Sequence, residues 1–342
     1  MSIQDVAKVA GVSKSTVSRI INGQPGPSAQ TVRTVLRVMD QIGYKPRPLS
    51  QRPGVRKAGR ERISTGTIGL LMLDEGHLRY PQMFAEMLCG VSSAIADQGM
   101  NLLFAEVKKH DRVPPLVKRM QVDGLLLAGS EVDDHVITGL QPLPKVWLTS
   151  HSSLDNDQVL LGNEAVGRIA AEYFLNQGKS RLVAVKPPSR FSVYAHRVHA
   201  FRYIAEMAGA KVTVLGEDYD PVLHEHLPER DRMPAFYRMI ARQFKSLSPQ
   251  PEGMFVPSDH FTAELYPIFI EEEINPMTDV MVVSCDHQTN FLTGLKPAPV
   301  TIDLGIRVIG RRAVEQLLWR INHPGEARNV QLSVTPMIVE PE

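Results

Sequence analysis

The stretch "VSKSTVSRIINGQ", residues 12–24, holds the key to this chain. Val17, Ile20 and Ile21 stand at i, i+3 and i+4, the spacing that gathers apolar side chains on one face of a helix. Lys14, Ser15, Ser18 and Arg19 point elsewhere. Ser13 sits where an N-cap accepts orphan backbone N–H groups, and Asn22-Gly23 supplies a stop. A helix that only covers a core tends to carry long solvated side chains such as Glu and Gln on its outer face. This one carries small hydroxyls and two cations, and is cleared for close approach to something acidic.

Working outward, Ile3, Val6, Ala7 and Ala10 give a preceding helix that stops at Gly11. A third begins after "GQPGPS", where Ser28 can cap, and carries Val32, Val35, Leu36, Met39 and Ile42 at helical spacing. Two short helices joined by a tight Gly-Val-Ser turn, with a third closing the core, make a helix-turn-helix. The second helix of such a unit enters the DNA major groove, and bulky side chains at its N-terminal half would hold it out. Serine and threonine can bond to several bases, and arginine pairs well with guanine. Charge points the same way. Residues 1–62 hold twelve Lys/Arg against three Asp/Glu, net +9, leaving 26 basic against 34 acidic residues, net −8, in the remainder. A basic head on an acidic body implies a polyanionic partner for the head.

Residues 44–66, "YKPRPLSQRPGVRKAGRERISTG", have three prolines, three glycines and basic residues throughout, and read as a linker able to track phosphates. From residue 67 apolar strand runs ("TIGLLML", "NLLFAEV", "VDGLLLAG", "KVWLTS", "RLVAV", "KVTVL", "GMFVP", "VMVVSC") alternate with helices at 83–99, 163–177, 194–208 and 307–321. That alternation predicts doubly wound parallel α/β sheets. About 275 residues exceed one such sheet, so two lobes with a cleft are expected. The loops "LDEG", "LAGS", "LTSH", "VPSD" and "SCDH" then gather along the ligand-binding rim. The expected organisation is an all-α head over 1–46, a linker over 47–66 and a two-lobed body over 67–342. The N-lobe takes about 67–162 and 290–322, the C-lobe about 163–289 and 323–342.

Composition bounds the rest. Cys89 and Cys285 lie far apart in apolar surroundings, as expected of reduced, packed thiols. "MSIQDVAKVAG" lacks an apolar signal-peptide region and no apolar run is long enough to span a bilayer, so a cytoplasmic protein with no membrane partner is expected. "HEH" at 224–226 lacks further ligands for a metal set, and "CDH" at 285–287 cannot form a triad from adjacent residues. With no phosphate-loop or dinucleotide fingerprint either, no cofactor and no catalysis are expected.

The segment "IQDVAKVAGVSKSTVSRIINGQPGPSAQTVRTVLRVMDQIGYKP" resembles the N-terminal signature of the lactose/galactose-repressor family of bacterial transcription regulators. Weaker echoes ("TIGLLM", "VDGLLLAG", "HRVHAF", "GMFVPSD", "VVSCD", "RVIGRRAVEQLL") follow in the family's order, so the resemblance covers nearly the whole chain. It implies a periplasmic-binding-protein-like body and a homodimer on a pseudo-palindromic operator. It also implies a sugar or related metabolite between the lobes that changes operator affinity. Lys14, Ser15 and Arg19 match the family's base-reading positions, and Ser13, Thr16 and Asn22 those that hold the helix on the backbone. Arg197 matches the arginine of the family's R-x-x-G-F motif, which clamps ligand hydroxyls or a carboxylate. Asp286 matches the aspartate of its G-[FY]-D-D. Ser258 stands where the family often has the Asn of A-N-D, and Tyr219 matches a frequent aromatic stacking residue. Asp74, Met83 and Thr149 fall on neighbouring rim positions. The family's hinge segment is replaced here by "RPLSQRPG". Pro48 and Pro53 oppose a helix there, leaving Leu49 as the apolar candidate for a minor-groove wedge. Gly162-Asn163 replaces the family's D-N, and Ala200 the Gly of R-x-x-G-F. The reading competes with a small-molecule-binding protein and with an α/β enzyme bearing a helical appendage.

Overall fold

The computed structural model describes residues 3–21, 27–44, 64–73, 81–108, 113–119, 121–129, 134–141, 143–148, 156–189, 192–220, 228–276 and 278–341. They belong to two compact units, Met1–Ile63 and Ser64–Glu342.

In the first unit α1 (Ile3–Ala10), α2 (Lys14–Ile21) and α3 (Ala29–Gln41) enclose a small core of Val6, Ala7, Val17, Val35, Val38 and Met39. Gly11 takes φ 66, the left-handed turn that only glycine enters freely. The Ser13 hydroxyl accepts the Thr16 N–H at 3.1 Å, and the Ser28 hydroxyl accepts that of Thr31 at 3.2 Å, so both expected caps are in place. Leu36, expected in this core, is 51% exposed. The inward stripe of α3 is instead Val35, Val38 and Met39, again i, i+3 and i+4.

The second unit holds two parallel sheets. Strands β1 (Thr67–Leu73), β2 (Asn101–Val107), β3 (Gly124–Gly129), β4 (Lys145–Leu148) and β5 (Asp157–Leu160) belong to the first. They alternate with α4 (Pro81–Asp97), α5 (Pro115–Lys118) and α6 (Asp134–Gly139). The second lobe carries α7 (Asn163–Asn176), β6 (Arg181–Val185), α8 (Ser192–Met207), β7 (Lys211–Leu215) and α9 (Glu229–Ser246). It continues with β8 (Gly253–Phe255), α10 (Asp259–Glu271), β9 (Met281–Val283) and α11 (Thr289–Leu292). The chain ends through β10 (Thr301–Asp303), α12 (Ile306–Asn322), β11 (Gln331–Ser333) and β12 (Met337–Val339). The first sheet runs β11-β5-β4-β3-β1-β2 and the second β7-β6-β8-β9. β1 and β3 are buried almost throughout, which is why they read as unbroken apolar runs rather than alternations.

The lobe boundaries differ from expectation at the chain's return. β11 pairs in parallel with β5 of the first sheet, although the sequence pattern places residues 323–342 in the C-lobe. β10, inside the 290–322 segment assigned to the N-lobe, instead lies beside the second sheet's edge. There the Ile302 carbonyl accepts the Asp286 N–H at 2.9 Å and the Val300 carbonyl that of Ser284 at 2.7 Å. β12 then pairs antiparallel with β10. The last crossing between lobes thus falls after residue 333, and strands of three residues are too short to reveal their sheet by pattern. α9 and α10 were not anticipated because Pro234 and Pro267 interrupt their helical signal.

Three contacts fix the first lobe in this form. The buried Asp123 carboxylate accepts the Thr65 and Gly66 N–H groups at 2.8 and 2.9 Å and the Ser64 hydroxyl at 2.7 Å, fixing where the chain enters β1. Arg320 of α12 donates to Asp157 of β5 (Nε to Oδ2, 2.8 Å) and to the Glu326 and Arg328 carbonyls, both at 2.8 Å, tying the return loop to the first sheet. α4 and α12 cross so closely that a Cβ on Gly90 would lie 2.0 Å from the Arg307 carbonyl oxygen. Cys285 is buried, whereas Cys89, expected to be packed, is exposed on α4.

Candidate functional site

Two constellations carry chemistry. In the first unit Val17 is fully buried, while Ser13, Lys14, Ser15 and Arg19 are exposed and Thr16 is half-buried. The three hydroxyls form a local cluster: Ser13 Oγ lies 2.7 Å from Ser15 Oγ and 2.8 Å from Thr16 Oγ1. A cap that orders its neighbours' hydroxyls fixes the start of α2, where the positive end of the helix dipole also favours a phosphate. Asn22 and Leu49 lie outside the described residues.

The second constellation lies at the carboxyl ends of β8 and β9, beside the point where the strand order of the second sheet reverses between β6 and β8. Open α/β sheets bind ligands in such a crevice. Arg197 of α8 is 1% exposed. Its Nε donates to Asn163 Oδ1 at 3.0 Å, and its Nη1 to the Pro257 carbonyl at 2.7 Å and to Asp286 Oδ1 at 2.8 Å. Burial works against the charge, but the Asp286 carboxylate, hydrogen-bonded to it, outweighs burial and holds the guanidinium pKa above its ordinary value. The other oxygen of Asp286 accepts the Ser258 hydroxyl at 2.6 Å. Asp286 itself sits at φ 104 and His287 at φ 49, left-handed backbone that residues other than glycine enter at a cost.

Of the residues named from the sequence, Arg197, Ser258 and Asp286 meet in this one cluster. Met83 lies half-buried on α4 against the core under the first sheet. Tyr219 packs edge-on against Phe236 at 5.0 Å. The aromatic ring beside the guanidinium is that of Tyr194, 5.8 Å away, one turn before Arg197 on α8. Asp74 and Thr149 lie outside the described residues, as does "HEH" at 224–226.

Two further members belong to the cluster: Asn163, to which sequence reasoning gave no site role, and Asp259, which keeps the Asp of the family's A-N-D. Asn163, the partner of Arg197 Nε, is the first residue of α7 after Gly162 at φ 66. A Cβ at Gly162 would come 2.7 Å from the Val334 carbonyl oxygen, which accounts for the glycine at a departure from the family pattern. Asp259, fully buried, accepts the Gln288 N–H at 2.7 Å and the Thr301 hydroxyl at 2.9 Å. It thereby joins α10 to both segments that run toward α12. Burial first, and the charge of Asp286 second, push its pKa up to about 7. Its signal in the sequence was the retained Asp of "PSD". Among the described residues no group of His, Cys, Asp and Glu could hold a metal, and no helix is long and apolar enough to cross a membrane.

Comparison with known proteins reaches both units. Residues 2–47 match the model of the bacterial regulatory proteins of the lacI family, and residues 171–340 that of the periplasmic binding protein-like domain. The chain is 24% identical to the ribose operon repressor of Escherichia coli K12, over 99% of this chain and 98% of that protein. It is 26% identical to the transcriptional repressor PurR of Vibrio cholerae, over 99% and 96%. The fold is similar to that of the regulator CelR in complex with cellobiose (TM-score 0.62, 21% identity, 99% of this chain and 98% of that one). It is likewise similar to that of the lac repressor dimer bound to operator (TM-score 0.59, 18% identity, 99% and 98%). The signature of the first unit, the two parallel sheets of the second and relatives matched end to end agree: residues 2–47 carry the lacI-family regulatory domain, and the chain as a whole is similar to transcriptional repressors.

Proposed function

We propose that the chain works as a homodimer in which α2 of each protomer reads one half of an inverted-repeat operator. A small uncharged molecule in the crevice beside Arg197 sets the affinity. The observation that carries the DNA reading is the two-sidedness of α2, with Val17 wholly buried and Lys14, Ser15 and Arg19 exposed around a Ser13 cap. Arg19 reads a base edge, Lys14 and Ser15 contact bases or phosphates, and Ser13 and Thr16 hold the helix on the backbone.

The effector reading is supported by the buried Arg197–Asp286–Ser258–Asn163 cluster at a strand-order reversal. Arg197 is already neutralised by Asp286, and three of its N–H groups are committed to protein oxygens. A charged ligand would add an unpaired charge there, so sugars fit and sugar acids do not. Dimerisation is supported by β2, which ends the first sheet and exposes Leu103 (39%) and Phe104 (48%). An apolar sheet edge of this length is normally covered.

By linkage, operator and effector change each other's affinity by the same factor. A thermal-shift screen against neutral sugars, uronic acids and nucleosides tests the effector half of the reading, because a ligand bound only by the folded state raises the melting point with saturation. Stabilisation by a neutral sugar that also changes operator affinity is the expected result. Stabilisation by uronic acids alone contradicts the assignment.

A further inference from the structure

Residues 286–290 run from the buried arginine pair to the other lobe. Asp286 meets Arg197, and the next residues bring an unusual group inside. Gln288 is 2% exposed, and although its backbone N–H is given to Asp259, both ends of its side-chain amide are buried without a hydrogen-bond partner among the described residues. The adjacent His287 Nδ1 is likewise buried and without a partner among the described residues. Orphan polar atoms this deep are rare in native structures, and each is a standing cost of the conformation that holds it. The backbone adds to that cost, with left-handed φ angles at Asp286 and His287. Two residues further on the segment is held from the opposite side. Gln82, at the start of α4 in the first lobe, donates from Nε2 to Thr289 Oγ1 at 3.4 Å and accepts the Asn290 N–H on Oε1 at 3.3 Å. α11, which carries these residues, packs on α10 of the second lobe. Gln82 therefore joins the two lobes through two long hydrogen bonds, a contact that can make and break readily.

We propose that Gln82 and Gln288 form an opposed pair that sets the balance between two arrangements of the lobes. Gln82 is a latch that holds the arrangement described here, and the unpaired Gln288 amide is a built-in bias toward a second one in which it finds partners. Resting on the reading of the body as an effector-controlled regulator, this makes the 286–290 segment the element through which occupancy beside Arg197 alters the lobe angle. The physical logic is that of a bistable switch: a small stored cost against a small, breakable tether leaves the equilibrium within reach of a ligand's differential affinity.

The test uses the full-length dimer and two substitutions expected to act with opposite sign. Gln82→Ala removes the tether, and Gln288→Leu removes the orphan amide while keeping its bulk. Hydrogen exchange followed by mass spectrometry over residues 81–90 and 286–292 is expected to speed up about two- to tenfold in Q82A and to slow by a similar factor in Q288L. Operator affinity, measured on the same proteins, shifts in opposite directions for the two. Gln288→Met serves as a second variant if Q288L folds poorly. Exchange that accelerates in both Gln288 variants means the amide supports this arrangement, and overturns the proposal. So does exchange in these peptides that neither substitution alters. Absence of operator binding in the unsubstituted protein would sink the regulator reading instead, and the exchange results would still decide the latch.

Discussion

Asp286→Asn isolates the energetics of the effector crevice. The side chains of Arg197 and Asp286 are 2% and 3% exposed and 2.8 Å apart, so neither charge has water to fall back on. With charge centres about 4 Å apart and an effective dielectric of about 20, their attraction is about 4 kcal/mol. Breaking one side of a buried pair costs about 3–5 kcal/mol, because the remaining charge stays buried and unpaired. D286N is therefore expected to lose about 3–5 kcal/mol. The double variant Arg197→Met/Asp286→Leu, which removes both charges, is expected to lose less than either single change. The assay is urea unfolding followed by tryptophan fluorescence. The chain's two tryptophans, Trp147 and Trp319, both lie in the second unit, so the head does not contribute to the signal. A loss below about 1 kcal/mol in D286N, or strict additivity in the double variant, would refute the reasoning by showing that the pair is effectively solvated.

Three further outcomes follow from the same geometry. Asp259 titrates near 7 in the folded chain against 3.8 unfolded, so its contribution to stability is complete below about pH 4 and is lost as the pH rises through 7. Urea midpoints at pH 5 and pH 8 should fall further in the parent protein than in Asp259→Asn, and equal falls would contradict this. Gly90→Ala drives a Cβ onto the Arg307 carbonyl, so α4 and α12 must separate, at a cost of about 1–3 kcal/mol or more by thermal unfolding. Arg320→Met leaves the fully buried Asp157 carboxylate without its cation and frees the 323–330 return loop, with an expected loss of about 3–5 kcal/mol and accelerated hydrogen exchange in that loop.

Much of the fold could be read from residue pattern because the sheets are parallel and buried on both faces, so that "TIGLLML", "VDGLLLAG" and "RLVAV" stand out as unbroken apolar runs. The head was legible through its caps, Ser13 and Ser28, and through helical periodicity in a stretch too basic to be a tail. What pattern could not supply was the return of the chain. β10, β11 and β12 have three residues each, too few to show a pattern, and β11 finds its partner β5 across more than a hundred residues. The crevice was half legible. Arg197, Ser258 and Asp286 carry recognisable motifs, whereas Asn163 becomes a partner only because α7 begins beneath α8, at a glycine forced by the Val334 carbonyl. Gln288 gave no signal at all, since an unpaired buried amide is defined by what surrounds it.

Everything proposed for the head rests on α2 reading DNA sequence. Selection of full-length protein against a random-duplex library, repeated with Arg19→Ala, addresses it directly. Enrichment of an inverted repeat is expected and, for R19A, relaxed preference at one position per half-site by about 1–3 kcal/mol while the rest of the site is retained. Recovery of no inverted repeat, or an R19A loss spread evenly over all sequences, would contradict it.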